Sequence, residues 1–152
     1  MKKILPIIFI LIIIGFTESN SQLLTKFKAS EGLSKATQVA KDSGMVNPEL
    51  VAIFTAAGEY NTGQMNITLE YDKDKGTSTA WIYLFRSPNN TSVMRAFAVA
   101  KLFIFLGAEI PLNQFGNIPI TPETPISGTW IDSDKLMTNL KANQTYTSFM
   151  TQ

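Results

Sequence analysis

An acidic stretch near the middle of the chain offers the nearest match to a metal-binding motif. Asp72-x-Asp74-x-Gly76 resembles the start of a calcium loop, which places glycine at its sixth position and glutamate at its twelfth. In this chain Gly76 is fifth and Tyr83 is twelfth. The sequence therefore predicts a solvated hairpin tip here and no metal site.

Two glycines nearby have the spacing of a phosphate-binding loop. Gly58 and Gly63 are five residues apart, but Gln64 and Met65 stand where such a loop needs lysine and a hydroxyl residue. Without the lysine no charge meets a phosphate, so we expect a turn at this position.

Carboxylates are the next groups that could act as acids or bases. Glycosidase chemistry needs two of them facing each other across about 5–10 Å. The spacing places no two on one wall, since they are scattered along the chain: Glu59, Glu70, Glu109, Asp132 and Asp134.

The composition removes most other catalytic chemistry. The 152 residues include no cysteine and no histidine. Their absence excludes disulfides, Cys–His and Ser–His–Asp nucleophile systems and the usual zinc sites. We therefore expect a protein that is not an enzyme, with no catalytic residue, no metal and no cofactor.

The amino-terminal segment has the pattern of a secretory signal peptide. A basic start at Lys2 and Lys3 precedes an almost purely apolar run from Ile4 to Phe16, and small residues then suit cleavage before Gln22. A membrane anchor is the rival interpretation, but thirteen helical residues reach only about 20 Å. We predict a signal peptide over 1–21 and one domain over 22–152, in the periplasm or outside the cell.

Charge argues against some partners of the mature chain. Removing 1–21 takes Lys2, Lys3 and Glu18, which leaves eleven basic and eleven acidic residues. Nucleic acid needs a basic footprint, so it is not expected as a partner. No stable membrane insertion is expected after cleavage, and the sequence leaves the oligomeric state open.

Hydrophobic periodicity predicts a helix followed by strands. Residues 34–43 have helical spacing, with Ser34 as a possible cap and Gly44 as a left-handed stop. Residues 50–57 read as a buried strand, residues 65–71 as a strand with one wet face, and 79–85 as the strongest strand.

The segment from Val93 to Leu106 is apolar on both faces. Its alanines suit a helix, whereas its position behind a hairpin-type turn suits a long buried strand. We favour a strand that bends near Lys101.

The last third begins with a proline-rich connector over 107–129, because prolines 111, 119, 122 and 125 fix φ and remove donors. The remainder, 130–152, is expected to form a helix capped by Asp132 or Ser133 and a short strand from Tyr146 to Met150. The likeness of this helix to 34–43 leaves open a second, shortened repeat.

Aromatic residues are the candidate binding groups. Trp81, Tyr83 and Phe85 share one face of their strand, and Trp130 opens the second helix. One interpretation makes that strand face an exposed platform for a partner, while the other, which we favour, buries it in the core.

The layout resembles that of PepSY-like secreted domains. The resemblance rests on a helix with Ala36-x-x-x-Ala40, on the apolar run from Pro48 to Ile53, and on Gly76 before the strand at 79–85. Trp-Ile-Asp-Ser at 130–133 is similar to the opening of their second helix. The resemblance implies a cystatin-like arrangement, with a helix packed on an antiparallel sheet, and binding of partners without catalysis.

These observations together predict an α+β domain with an antiparallel sheet of about four strands and one or two helices packed on it. The expected function is an exported binding or regulatory module for a protein or peptide. The alternative is a carrier of small apolar ligands, whose pocket between helix and sheet would be lined by Trp81, Phe97, Phe103 and Phe105.

Overall fold

A computed structural model describes residues 24–55, 57–61, 66–112 and 124–150 of the chain. The signal-peptide prediction, Met65 and the part of the connector at 113–123 lie outside these ranges. The helices are α1 (Leu33–Asp42), α2 (Ser133–Lys141) and α3 (Gln144–Met150). The strands are β1 (Glu49–Phe54), β2 (Gly58–Asn61), β3 (Asn66–Leu69), β4 (Tyr71–Asp72), β5 (Thr77–Ser78), β6 (Ala80–Ser87), β7 (Asn90–Lys101) and β8 (Phe105–Ile110).

The main sheet has four antiparallel strands in the order β1-β6-β7-β8. Two short two-stranded ladders, β2-β3 and β4-β5, lie between β1 and β6 in the chain. Helix α1 packs over β7 and β8. The predicted α+β class and four-stranded antiparallel sheet are therefore confirmed.

Alternation along β6 builds a separate core on each face of the sheet. Trp81, Tyr83 and Phe85 join Ala36 and Ala40 of α1 in one cluster of buried residues. Side chains of the opposite parity, Ile82 and Leu84, join a second cluster on the other face. Because both faces are covered at β6, its residues from Ala80 to Phe85 are all apolar and buried, as in strands buried on both sides.

Helix α1 (Leu33–Asp42) begins and ends one residue earlier than the predicted 34–43, and its amino-terminal cap also differs. Gly32 is the N-cap residue and no side chain caps it, so the expected cap at Ser34 is wrong. Glycine is needed at 32 because a Cβ there would lie 2.3 Å from the Tyr83 hydroxyl. At the other end Gly44 has a φ of 90°, the predicted left-handed stop.

The segment from Val93 to Leu106 is confirmed as a strand but does not stay one strand. Strand β7 ends at Lys101, and the chain reverses through 102–104 into β8. The predicted bend near Lys101 is thus a turn. Residues 107–110 belong to β8, so assigning them to the extended connector was wrong.

The carboxyl-terminal region is helical throughout its described part. Asp132 caps α2 by accepting a hydrogen bond from the Ser133 backbone N–H, as predicted. The strand expected from Tyr146 to Met150 is wrong, because α3 covers these residues. The Asn143 side chain accepts hydrogen bonds from the backbone of Thr145 and Tyr146 and so starts a helix. The strand that a second repeat would need is absent from 144–150.

None of the helices in the described ranges has both the length and the apolar character needed to span a bilayer.

Candidate binding surface

The amino-terminal segment ties the strand aromatics into the core. Phe27 exchanges two backbone hydrogen bonds with Ser78, at 2.9 and 3.0 Å. The Trp81 indole donates to the Phe27 carbonyl at 2.8 Å, and the Tyr83 hydroxyl donates to the Ala29 carbonyl at 2.7 Å. These bonds satisfy the polar ends of two large buried side chains.

The aromatic residues of β6 do not form an exposed platform. Trp81, Tyr83 and Phe85 are only 5%, 0% and 1% exposed. That interpretation of the three residues is corrected in favour of the core, because α1 and the segment around Phe27 cover their face of the sheet. These three side chains therefore offer no exposed contact surface.

Burial gives Tyr83 a pH dependence that can be measured. Burial, followed by the nearby carboxylates Asp132 and Glu31, raises the pKa of Tyr83 well above its ordinary value near 10. Because the pKa of Tyr83 is raised in the folded state, its protonated hydroxyl contributes stability that is fully present below pH 10. This contribution to the free energy of unfolding is lost as the pH rises further.

We expect the free energy of unfolding of the wild type to fall more steeply above pH 10 than that of Tyr83→Phe. Urea titrations of both proteins at pH 8 and at pH 10.5, followed by tryptophan fluorescence, measure the difference. Lysines titrate in both proteins, so their contribution cancels in the comparison. Parallel pH curves would contradict the assignment.

Trp130, the fourth predicted site residue, borders an open cleft of about 630 Å³ beside the start of α2. The Lys28 ammonium lies 2.5 Å from Asp134 in this cleft. The hydrogen bond from Lys28 lowers the pKa of the Asp134 carboxyl. Asp132 accepts hydrogen bonds from the backbone N–H groups of Ser30 and Ser133. The carboxylates here join the amino-terminal segment to α2.

The pocket predicted for a small apolar ligand does not form from the four expected residues. Trp81 and Phe97 are buried in the core, and Phe105 packs edge-on against Phe27 with ring centroids 5.1 Å apart. Phe103 lies on the turn after β7 and is 96% exposed. A side chain at the tip of a turn does not share a cavity with the core.

That turn carries the most exposed large apolar side chain in the described part of the chain. Phe103 is 96% and Ile104 66% exposed, and we call these two residues the apolar tip. At its base the backbone N–H of Leu102 donates to the Ile104 carbonyl at 3.1 Å. The tip belongs to the turn between β7 and β8 and projects an apolar surface to solvent.

The two edges of the main sheet differ in protection. Outer strand β1 has a bulge between Leu50 and Ala52, and the Leu50 carbonyl accepts a hydrogen bond from Ile126 at 2.7 Å. Bulges and covering segments are devices that prevent edge pairing. Across the described ranges, no backbone hydrogen bond from outside the β7–β8 ladder reaches β8.

Two hydrogen bonds show which groups of β8 face outward. Leu102 bonds Ile104 across the turn, and the Lys101 carbonyl accepts from Thr25 on the side of β7 away from β8. Because directions alternate along a strand, even-numbered residues of β7 and β8 bond each other. The backbone groups of Phe105, Gly107 and Glu109 therefore point outward, and we call this side of β8 the open edge.

Charges along the open edge are only partly paired. Arg95 binds Glu109 and also donates to the Ser43 carbonyl at 2.9 Å, and the hydrogen bond to Glu109 raises the pKa of the guanidinium. Lys101 lies 3.3 Å from Glu31. Lys35 of α1 makes no ion pair with any described residue.

Two carboxylates that the sequence did not place on one wall, Asp132 and Asp134, line the same cleft, but Asp132 accepts backbone hydrogen bonds and Asp134 is paired with Lys28. No three histidine, cysteine, aspartate or glutamate residues there lie close enough to hold a metal ion. Glu70, Glu109 and Asp134 each bind a lysine or arginine instead. The described surface offers a strand edge that pairs with no other described residue, beside the apolar tip. The sequence did not reveal this feature because residues 102–104 contain no glycine, proline or asparagine.

No protein-family model, curated protein or solved structure with which we compared the chain matches it.

Proposed function

We propose that this protein is an exported binding or regulatory module that acts on a protein or peptide partner and catalyses no reaction. The observation that carries the proposal is the open edge of β8 beside the apolar tip, at Phe103 and Ile104. Unpaired strand edges are recognition elements for extended chains, and exposed apolar groups add area that binding removes from water.

Export is proposed from the leader at 1–21, and the site of action is the periplasm or the extracellular space. A PepSY-like relationship is part of this proposal, supported by the helix followed by an antiparallel sheet and by the cap at Asp132. No cofactor is needed, and neither nucleic acid nor stable insertion into a membrane is part of the mechanism.

Two arrangements support a role in binding rather than in chemistry. The carboxylates Glu70, Glu109 and Asp134 are held by cations, so none stands free beside another as a candidate acid or base. The hydroxyl of the fully buried Tyr83 already donates a hydrogen bond to the Ala29 carbonyl. The groups left open are backbone amides and carbonyls of an edge strand.

Affinity capture followed by native mass spectrometry tests the proposal. Tagged mature protein (22–152) is incubated with the extracellular or periplasmic fraction of its own host, and the complexes are weighed. We expect a one-to-one complex with a single protein that is weakened when Phe103→Ser and Ile104→Ser remove the apolar tip.

A matched control carries Lys73→Ser and Lys75→Ser on the β4–β5 turn, where both side chains are exposed. It should capture the same protein as the wild type. A stoichiometric lipophilic small molecule in place of a protein would instead support the carrier. Turnover of a hydrolase substrate that disappears when one carboxylate is neutralised would overturn the proposal.

A further inference from the structure

We infer that the open edge of β8 binds an extended peptide as a fifth antiparallel strand, and that the peptide carries an acidic residue opposite Gly107. This inference rests on the proposed function and specifies its partner. It is drawn from three features of the edge: its outward backbone groups, its glycine and the unpaired lysine above it.

The backbone supplies the first feature. Phe105, Gly107 and Glu109 each direct one N–H and one C=O away from β7, as the register of the β7–β8 ladder requires. An extended peptide alongside them would form hydrogen bonds with these groups. All three strand pairs of the main sheet are antiparallel, so we expect the added strand to run antiparallel to β8.

Gly107 supplies the second feature. A Cβ at this position would lie 3.0 Å from Val39 and 3.4 Å from the Cγ of Lys35, so α1 lies directly over the glycine. Gly107 pairs with Val99, which belongs to the core cluster on the α1 side of the sheet. A peptide residue opposite Gly107 would therefore direct its side chain to the same side, next to Lys35.

Charge supplies the third feature and selects the peptide. On this side of the edge Arg95 and Lys101 already have carboxylate partners, whereas Lys35 has none in the described part of the chain. An acidic side chain opposite Gly107 would pair with Lys35, and a basic one would be repelled. Cross-strand charge pairs contribute roughly 0.2–1 kcal/mol each.

The same lysine disfavours a second copy of the chain as the occupant. Two β8 strands paired about Gly107 would bring both Lys35 side chains to one place, along with both α1 helices. Like charges directly opposite each other destabilise a strand pair. A separate peptide has neither problem.

Hydrogen exchange with a synthetic probe tests the inference. The probe is a fluorescent nine-residue peptide of alternating threonine and valine, with glutamate at its centre in the register of the threonines. In the free protein we expect slow exchange at Leu106 and Ala108, which bond β7, and fast exchange at Gly107 and Glu109. Saturating probe should slow the latter two amides at least tenfold.

Modified probes separate strand addition from other binding. Methylating the backbone nitrogen of the central glutamate removes a donor that faces β8 and should weaken binding more than tenfold. Methylating a neighbouring valine, whose N–H faces solvent, is the matched control and should have a much smaller effect. Equal losses from the two methylations would overturn strand addition.

The charge requirement is tested with a central lysine in place of the glutamate. We expect wild-type protein to favour the glutamate probe by on the order of fivefold, and Lys35→Glu to reverse the order. Lys35 is partly exposed on α1, so this variant should fold. An unchanged order in the variant would contradict the role of Lys35.

Other outcomes also decide between explanations. Protection of Gly107 and Glu109 that rises with protein concentration, without probe, would assign the edge to a second copy and overturn the inference. Capture of a native partner by wild-type protein with no protection at β8 would overturn the edge site while leaving the proposed function standing. Failure to capture any partner, with the probe bound as expected, would count against the proposed function alone.

Discussion

Gly76→Ala should lower the free energy of unfolding by about 3 kcal/mol, a large effect for one added methyl group. Gly76 has a φ of 64°, and a Cβ there would lie 2.2 Å from the backbone carbonyl oxygen of Ser133. Because that obstacle is backbone, relief requires the β4–β5 turn and the start of α2 to separate.

Separating the β4–β5 turn from α2 would disturb other contacts around the start of that helix. Lys141 of α2 lies 2.7 Å from Asp74 on the turn, and the Ser133 hydroxyl accepts a hydrogen bond from the Ala29 backbone at 3.0 Å. Urea unfolding monitored by circular dichroism measures the loss of stability.

Gly128→Ala is the control, because Gly128 also has a positive φ, 76°, but nothing lies within 4 Å of its Cβ position. It should cost only about 1 kcal/mol, the conformational part of the penalty. Equal effects at the two glycines would show that the packing of α2 against the turn contributes little.

Gly32→Ala should destabilise the fold by about 2–3 kcal/mol through overpacking. The new Cβ would lie 2.3 Å from the Tyr83 hydroxyl and 2.8 Å from the Phe27 ring, and both side chains are fully buried. The hydroxyl cannot move away without losing its hydrogen bond to the Ala29 carbonyl.

A double-mutant cycle isolates the hydroxyl. Tyr83→Phe alone should cost about 1–2 kcal/mol, since it leaves the Ala29 carbonyl without its donor. In the double variant the closest contact is gone, so the combined loss should be smaller than the sum by about 1 kcal/mol. Strict additivity in urea titrations would mean that the Tyr83 hydroxyl is not what restricts position 32 to glycine.

Much of the fold was predictable because its signals are local. Helical spacing predicts α1, and continuous apolar residues predict β6 and β7, which lie in the middle of the sheet and are buried on both faces. The acidic loop ending at Gly76 also folds as the predicted hairpin. In each case the chain's own periodicity or turn chemistry is sufficient.

Two errors have a physical cause in competing local signals. Residues 146–150 include tyrosine, threonine and phenylalanine, which favour strands, but the Asn143 side chain caps the backbone and begins α3. The turn at 102–104 lacks the usual turn residues, so the end of β7 was not visible. That omission also placed Phe103 in a pocket instead of on the surface.

The candidate site depends on information that is not local. Whether the aromatic face of β6 is exposed depends on where α1 and the Phe27 segment pack, and which strand is an edge depends on the order β1-β6-β7-β8. A single sequence does not specify that order. The position of Lys35 above Gly107 follows from the same packing and was missed for the same reason.

Photo-crosslinking from the apolar tip tests the central claim, that this protein acts by holding a partner at the β8 side of its sheet. A photoreactive amino acid replaces Phe103 in one variant and Lys75, on the β4–β5 turn, in another. After incubation with the native exported fraction and illumination, we predict one crosslinked protein from position 103 and none from position 75. Labelling of the same partner from position 75 alone, or equally from both positions, would contradict the account.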